Sequence, residues 1–472
     1  MGQEIEASRF TQADFDAFEE RLREETRLLE TWFREDAFAS THKVAGFELE
    51  ACLVGAGMRP APIVEPFLER LNDPLVVPEL ATFNAEINGT PQRLQGDALS
   101  RLAAELEATW AHCGEAAAGL DARLAMIGIL PTLAPGHLDM AYMTPLKRYR
   151  ALNEQILHLR RGRPLNLDVR GRDHLHLEQQ DVMTESAATS FQIHLKVTPE
   201  EAARVYNWSK VLSAPMVAVA ANSPFLFGHD LWDETRIPLF EQAVSVGGSF
   251  FSERVTFGLH YVRDSVLECF QGNLIRFPPL LPQIMDEPPE RLAHLRLHNG
   301  TIWRWNRPLI GFDDSGAPHL RIEHRVVPAG PTVSDSIANA ALYFGAVQSL
   351  AGEAAPPDQR LPFSVAKANF YTAARQGLDV QIEWLDEERA TLSQILADDL
   401  LPRARRGLLE LGIDTSEADL WLGIIADRLR SGRTGSAWQR AWVERHGPDM
   451  EALTATYLER QQTGRPVHEW SL

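Results

Sequence analysis

Four separate runs of this chain set carboxylate, imidazole or guanidinium groups at two-residue steps, the spacing that turns side chains to one face of a strand. Glu48 and Glu50 alternate with Phe47, Leu49 and Ala51 in Val44–Val54. Glu86 alternates with Phe83, Ala85 and Ile87 in residues 82–88, read TFNAEIN. Ser190, Gln192, His194 and Lys196 form the polar side of residues 190–197. Glu323, flanked by Arg321 and Arg325, alternates with Leu320, Ile322, His324 and Val326. Side chains at i and i+2 of a strand stand about 7 Å apart, so Glu48 and Glu50 could share one ion or hold two adjacent ions.

Any one of these strands alone would ordinarily be a sheet with one wet face. Together they differ, because the polar positions favour Glu, Gln, His and Arg where a merely solvated face often carries Thr, Ser or Lys. Four carboxylates and a histidine on one face repel unless cations sit among them. Mg²⁺ takes carboxylate and phosphate oxygens together, and Mn²⁺ tolerates the imidazole better. Arg148, Arg236, Arg321 and Arg325 add forked groups suited to carboxylate or phosphate. No GxxxxGK[ST] loop and no GxGxxG at a strand–helix junction occurs, so a nucleotide would be held by metals and sheet side chains.

The elements that must position these groups come in irregular order. Apolar residues at helical steps predict a helix over residues 11–36, then helices over 97–126 and 145–160, the second with Thr144 as cap and Pro145 in its first turn. Thr198-Pro-Glu-Glu201 reads as a capping box opening a helix that runs to Ala221, where Asn222-Ser-Pro stops it. A further helix is expected over 334–350, and the chain reads as helical from about 380, with Asp414-Thr-Ser-Glu417 as another cap. Strands far apart with helices between them, lacking regular βαβ alternation, predict an α+β fold with a mainly antiparallel sheet. Expected boundaries are an N-terminal helical segment over 1–40, a catalytic domain over 41–353 and a mainly helical region over 354–472.

Composition bounds the partners. The 472 residues carry 46 Lys plus Arg against 65 Asp plus Glu, a net charge of −19. That balance argues against nucleic acid and against an anionic membrane surface, both of which need clustered cations. Three scattered cysteines (Cys52, Cys113, Cys269) form no disulfide framework and fit a reducing compartment. No secretory leader, myristoylation pattern or membrane-length apolar run is read, so a soluble cytoplasmic protein is expected. The Trp-rich C-terminal stretches (Trp421, Trp438, Trp442, Trp470) would either pack on the main domain or join copies into a homo-oligomer.

Gly46-Phe-Glu-Leu-Glu50, Phe83-Asn-Ala-Glu-Ile-Asn88, Arg148-Tyr149, Thr189-Ser-Phe-Gln-Ile-His194, Ala221-Asn-Ser-Pro-Phe225 leading to Thr235-Arg236, and Arg321-Ile-Glu-His-Arg325 occur in an order and spacing that resembles the glutamate–cysteine ligase family, second sequence type. The likeness spans about residues 40–350. It implies a curved antiparallel sheet of the glutamine synthetase and guanido kinase type, with helices on its outer face and a helical C-terminal part. It implies an ATP-dependent carboxylate–amine ligase working through an acyl phosphate on small-molecule acid and amine substrates. By the resemblance Glu48, Glu50, Glu86, His194 and Glu323 are metal ligands for Mg²⁺ or Mn²⁺. Gln192, Arg321 and Arg325 serve ATP, with Arg325 on the transferring phosphate. Arg236 grips the substrate carboxylate, and Arg148, Tyr149 and Asn222 shape the substrate pocket. Arg325, Arg236 and Glu323 are the expected catalytic groups. Residues 298–307 (HNGTIWRWNR) would line the acceptor side or simply pack Trp303 and Trp305. Two alternatives stay open: a guanidine phosphotransferase of the same fold, and a catalytically silent relative that binds a metabolite or partner.

Overall fold

The alternating run Val44–Val54 becomes strand β1, the member of the sheet against which most others register. In the computed structural model, which describes residues 4–39 and 42–472, eight strands form one sheet. They are β1, β2 (Val76–Pro78), β3 (Asn84–Asn88), β4 (Gln92–Arg93), β5 (Arg123–Ala125), β6 (Phe191–Val197), β7 (Asn306–Phe312) and β8 (Pro318–His324). The order across the sheet is β7–β8–β6–β1–β3–β2, with β4 and β5 also pairing to β1. Every pairing is antiparallel. The α+β, mainly antiparallel expectation holds.

Helices cover the face away from the polar groups. Pro199–Val219 and Val333–Ala351 are buried almost all round, and side chains from the sheet reach into them. Asn306 donates to the Ser213 hydroxyl at 2.9 Å, and the His324 ring stacks on Tyr343 with centroids 4.3 Å apart. His324 therefore points opposite to its neighbours Glu323 and Arg325, and burial pushes its imidazole down to about 3. The capping box at Thr198 and Glu201 opens the first of these helices as expected. The 145–160 helix instead starts at Lys147, because the Thr144 hydroxyl donates to the Glu79 carbonyl and does not cap. The expected 97–126 helix stops at Ala118, freeing residues 123–125 to pair with β1.

The C-terminal part is mainly helical and is bolted to the sheet-covering layer. Val333–Ala351 crosses Leu401–Glu410 so closely that a Cβ on Gly345 would meet the Ala404 carbonyl. In Thr415–Ser431, buried Arg428 donates to Asp335 at 2.7 Å and to the Val219 carbonyl at 3.0 Å. Removing one partner of such a pair strands a buried charge, at about 3–5 kcal/mol. Trp438 and Trp470 pack edge to face with Tyr457, so these tryptophans pack within the chain. Among the described residues no helix is long and apolar enough to cross a membrane. At the other end, the stripe Phe18, Leu22 and Leu29 of Gln12–Glu35 is buried, and Glu25 accepts from His294 and from the Leu295 amide. That contact fixes Ala293–Gly300 over the polar side of the sheet.

Candidate active site

Antiparallel register decides which of the distant groups meet, because directly opposed residues share a face. Glu48 faces Gln192 across β1 and β6, and His194 faces Glu323 across β6 and β8. Glu50 faces Glu86 across β1 and β3, and Arg307 faces Glu323 across β7 and β8. Glu48, Glu50, Gln192, Arg321, Glu323 and Arg325 thus stand on one face and line a cavity of about 280 Å³, with His194 and Glu86 on the same face beside them.

Three of them converge. His194 Nε2 lies 3.5 Å from Glu48 Oε1 and 3.8 Å from Glu323 Oε1. One ligand atom from each residue falls within 4.8 Å of the others. His194 Nε2 and Glu48 Oε2 are buried without a hydrogen-bond partner, a state that costs about 1–3 kcal/mol per neutral group and more for a charge. A divalent cation would satisfy both atoms, so this donor set fits the expected metal. Burial opposes ionising Glu48, but the His194 charge beside it holds the carboxyl down at about 2. Burial likewise opposes Glu323, and there the Arg307 fork and then Arg325 hold the carboxyl far below its ordinary range.

Glu50 and Glu86 stand next to this trio without joining it. Glu50 accepts from the Ser190 amide and from Gln192 Nε2, each at 2.8 Å. Burial, reinforced by the charge of Glu79, raises its carboxyl to about 7. Glu86 accepts from Asn88 at 3.0 Å, and burial and then Glu48 push its carboxyl well up. Gln192 links the two halves of the wall: its amide nitrogen serves Glu50, and its oxygen accepts from Arg325.

Arg325, Arg321, Arg148 and Tyr149 line the cavity. Arg148 Nη2 donates to the Tyr149 hydroxyl at 2.8 Å, which itself lies 3.4 Å from Glu79 Oε2. Two expectations need correcting. Asn222 does not line the cavity: it donates to the Ala329 carbonyl and to Tyr457 and accepts from Gln439, all in the core. Arg236 is buried with its N–H groups on the carbonyls of Arg325 and Val326 and on Glu234. It borders only a small side pocket shared with Glu50, Glu185 and Arg325, so it anchors the strand exit that carries Arg325. Three charged cavity residues escaped the sequence reading, Arg296, Glu79 and Glu185, whereas Asn299, Gly300, Thr301, Trp303 and Arg307 of the 298–307 segment do reach the cavity. Arg307 grips Glu323 through two bonds of 2.7 and 2.9 Å, a partner sixteen residues later that only the pairing of β7 with β8 reveals.

Residues 2–456 match the description of glutamate–cysteine ligase family 2. The chain belongs to that family. A Frankia alni protein named Putative glutamate–cysteine ligase 2-1 is 27% identical over 295 residues, 59% of this chain. The matched stretch spans 64% of that relative's length. The crystal structure of a Francisella tularensis glutamate–cysteine ligase in complex with AMP covers 90% of both chains with a TM-score of 0.58 at 13% identity. A bifunctional glutathione synthetase from Pasteurella multocida covers 89% of this chain and 52% of its own, with a TM-score of 0.53 at 10% identity. At these identities the two structures speak for the fold alone.

Proposed function

We propose that this family-2 chain is an ATP-dependent carboxylate–amine ligase that activates an amino acid such as glutamate and joins it to an amine. The observation that carries the reading is the trio Glu48, His194 and Glu323, with two orphaned buried atoms, set into a cavity edged by five arginines. That combination suits a metal–nucleotide beside a carboxylate substrate, and the names of the relatives agree with it. Free, buried cysteines fit the cytoplasm as the working compartment.

A carboxylate oxygen is a poor leaving group, so the donor acid first takes the γ-phosphoryl group of ATP, releasing ADP. The acceptor nitrogen then attacks the acyl carbon, the C–N bond forms, the C–O bond to phosphate breaks, and phosphate departs. Little covalent help is needed; positioning and charge neutralisation decide the rate. Glu48, His194 and Glu323 would hold Mg²⁺ or Mn²⁺, which offsets phosphate charge when bound. Arg325, kept in place by Gln192 and Glu323, would stabilise the charge of the transferring group. Arg321 and Arg296 supply further cations for phosphates. Arg148 and Tyr149 offer a paired cation and hydroxyl to a substrate carboxylate. A nearby cavity carboxylate takes the amine proton.

The test is a screen of amino acid pairs with ATP and Mg²⁺, reading ADP and the amide product by mass. ADP and amide should appear together, only when acid and amine are both present, and Glu48→Gln should abolish both. ADP formation that needs a guanidine acceptor alone, or no turnover with any pair, would refute the ligase reading.

A further inference from the structure

Two tryptophans approach the cavity in residues 298–307, and the fold ties down only one of them. Trp305 is buried, and its ring N–H donates to Glu241 at 2.8 Å. Arg304, between the two, turns away and donates to Asn273 at 2.6 Å. Trp303 is partly buried and lines the cavity, and its ring N–H donates to nothing among the described residues. Its ring lies 6.3 Å from that of Phe240, centroid to centroid. Val244, four residues after Phe240 and so on the same side, lines the cavity too. Phe270, of Leu267–Arg276, and Leu281 extend this apolar surface. Trp303 thus keeps part of a large apolar ring, with an unused donor, turned to the cavity space.

Phe240 fixes where this wall stands. It also borders the small side pocket with Glu185, Arg236 and Arg325. The wall is therefore at the Arg325 end, where the phosphoryl group would be transferred. A purine base hangs three phosphates and a ribose from that point, and apolar contact is open to it at Leu309, paired with Arg321 on the β7–β8 side. The donor acid is polar, with Arg148 and Tyr149 to meet its carboxylate. What remains for the wall is the amine. Burial holds the Glu185 carboxyl well up, so the neighbouring acid does little to oppose an apolar group there. We infer that Trp303, with Phe240 and Val244, selects the acceptor, and that the acceptor is an amine carrying a hydrocarbon chain or ring. The inference rests on the ligase reading above and names the acceptor class for it. Each methylene buried on such a wall tightens binding about fourfold.

The probes are n-pentylamine and 4-amino-1-butanol, alike in length and charge, one ending in a methyl and the other in a hydroxyl. Saturation-transfer NMR on the full chain with Mg²⁺ and ADP reads both affinities. The wild type should hold n-pentylamine at least ~5-fold more tightly, because the wall buries a methyl and offers a hydroxyl no partner. Trp303→Ala should cut that preference to less than about twofold, Trp303→Phe should keep most of it, and ADP affinity should stay within about twofold in both. In turnover, acceptor KM should fall from ethylamine to n-pentylamine while donor KM holds. Equal binding of the two amines by the wild type, or an undiminished preference in Trp303→Ala, overturns the inference. Trp303→Ala that loses ADP affinity and keeps the amine preference gives the ring to the base, and overturns it as well. A wild type that prefers n-pentylamine yet releases no ADP with any acid–amine pair upholds the apolar amine subsite and defeats only the ligase reading. Amide formation indifferent to the hydrocarbon of the amine does the reverse.

Discussion

Glu241, in the helix Arg236–Ala243, accepts at one oxygen from the Trp305 ring N–H at 2.8 Å and from the Tyr371 hydroxyl at 2.7 Å. Burial raises its carboxyl from 4.5 to about 7 despite those two donors. The folded protein therefore keeps a proton on Glu241 through a range in which the unfolded chain has lost it. Its contribution to stability is complete below about pH 4.5 and disappears as pH climbs through about 7. That displacement is worth up to about 3 kcal/mol. Glu241→Gln fixes the neutral form and still offers an amide oxygen to both donors. An unfolding entropy of about 2.1 cal/mol/K per residue, over 472 residues, gives about 1 kcal/mol per kelvin. The melting temperature of the variant relative to wild type should then rise by about 3 °C between pH 4.5 and pH 8, read by calorimetry. A difference that stays flat across that interval would refute the argument that burial sets this proton.

Other expectations follow from neighbouring features. Arg307→Met strands the buried Glu323 carboxylate and should lower the melting temperature by about 3–5 °C, whereas Arg307→Met with Glu323→Gln should lose less than the single change. His194→Ala should weaken Mn²⁺ binding, followed by electron paramagnetic resonance, by at least ~10-fold, and unchanged binding would remove His194 from the ligand set. Gly345→Ala should cost about 1–3 kcal/mol in thermal unfolding, because the new methyl collides with the Ala404 carbonyl.

The sheet and its polar wall were legible because period-two alternation is a local property. Phe47, Leu49 and Ala51 against Glu48 and Glu50, and Phe191 and Ile193 against Gln192 and His194, declare their faces without knowledge of partners. The strand Asn306–Phe312 was hidden by Pro308 and by a Trp-rich approach that reads as packing. It lies at the sheet edge, where proline is tolerated, so Arg307 was read only as the end of the 298–307 segment and not as a strand residue. Glu79 and Glu185 come from a strand exit and a short turn, neither of which has a period to read. Asn222 and Arg236 sat in a recognisable run whose polar residues turned out to satisfy backbone groups, and sequence spacing does not distinguish a side chain that binds a carbonyl from one that binds a substrate.

The Met126 carbonyl, just past β5, accepts hydrogen bonds from Tyr457 and Gln461, residues made more than three hundred positions later. Tyr457 also accepts from Asn222 and is wedged against Trp438 and Trp470. As the chain emerges from a ribosome, β5 and the 222 turn thus wait for their props until residue 470 has cleared the exit tunnel.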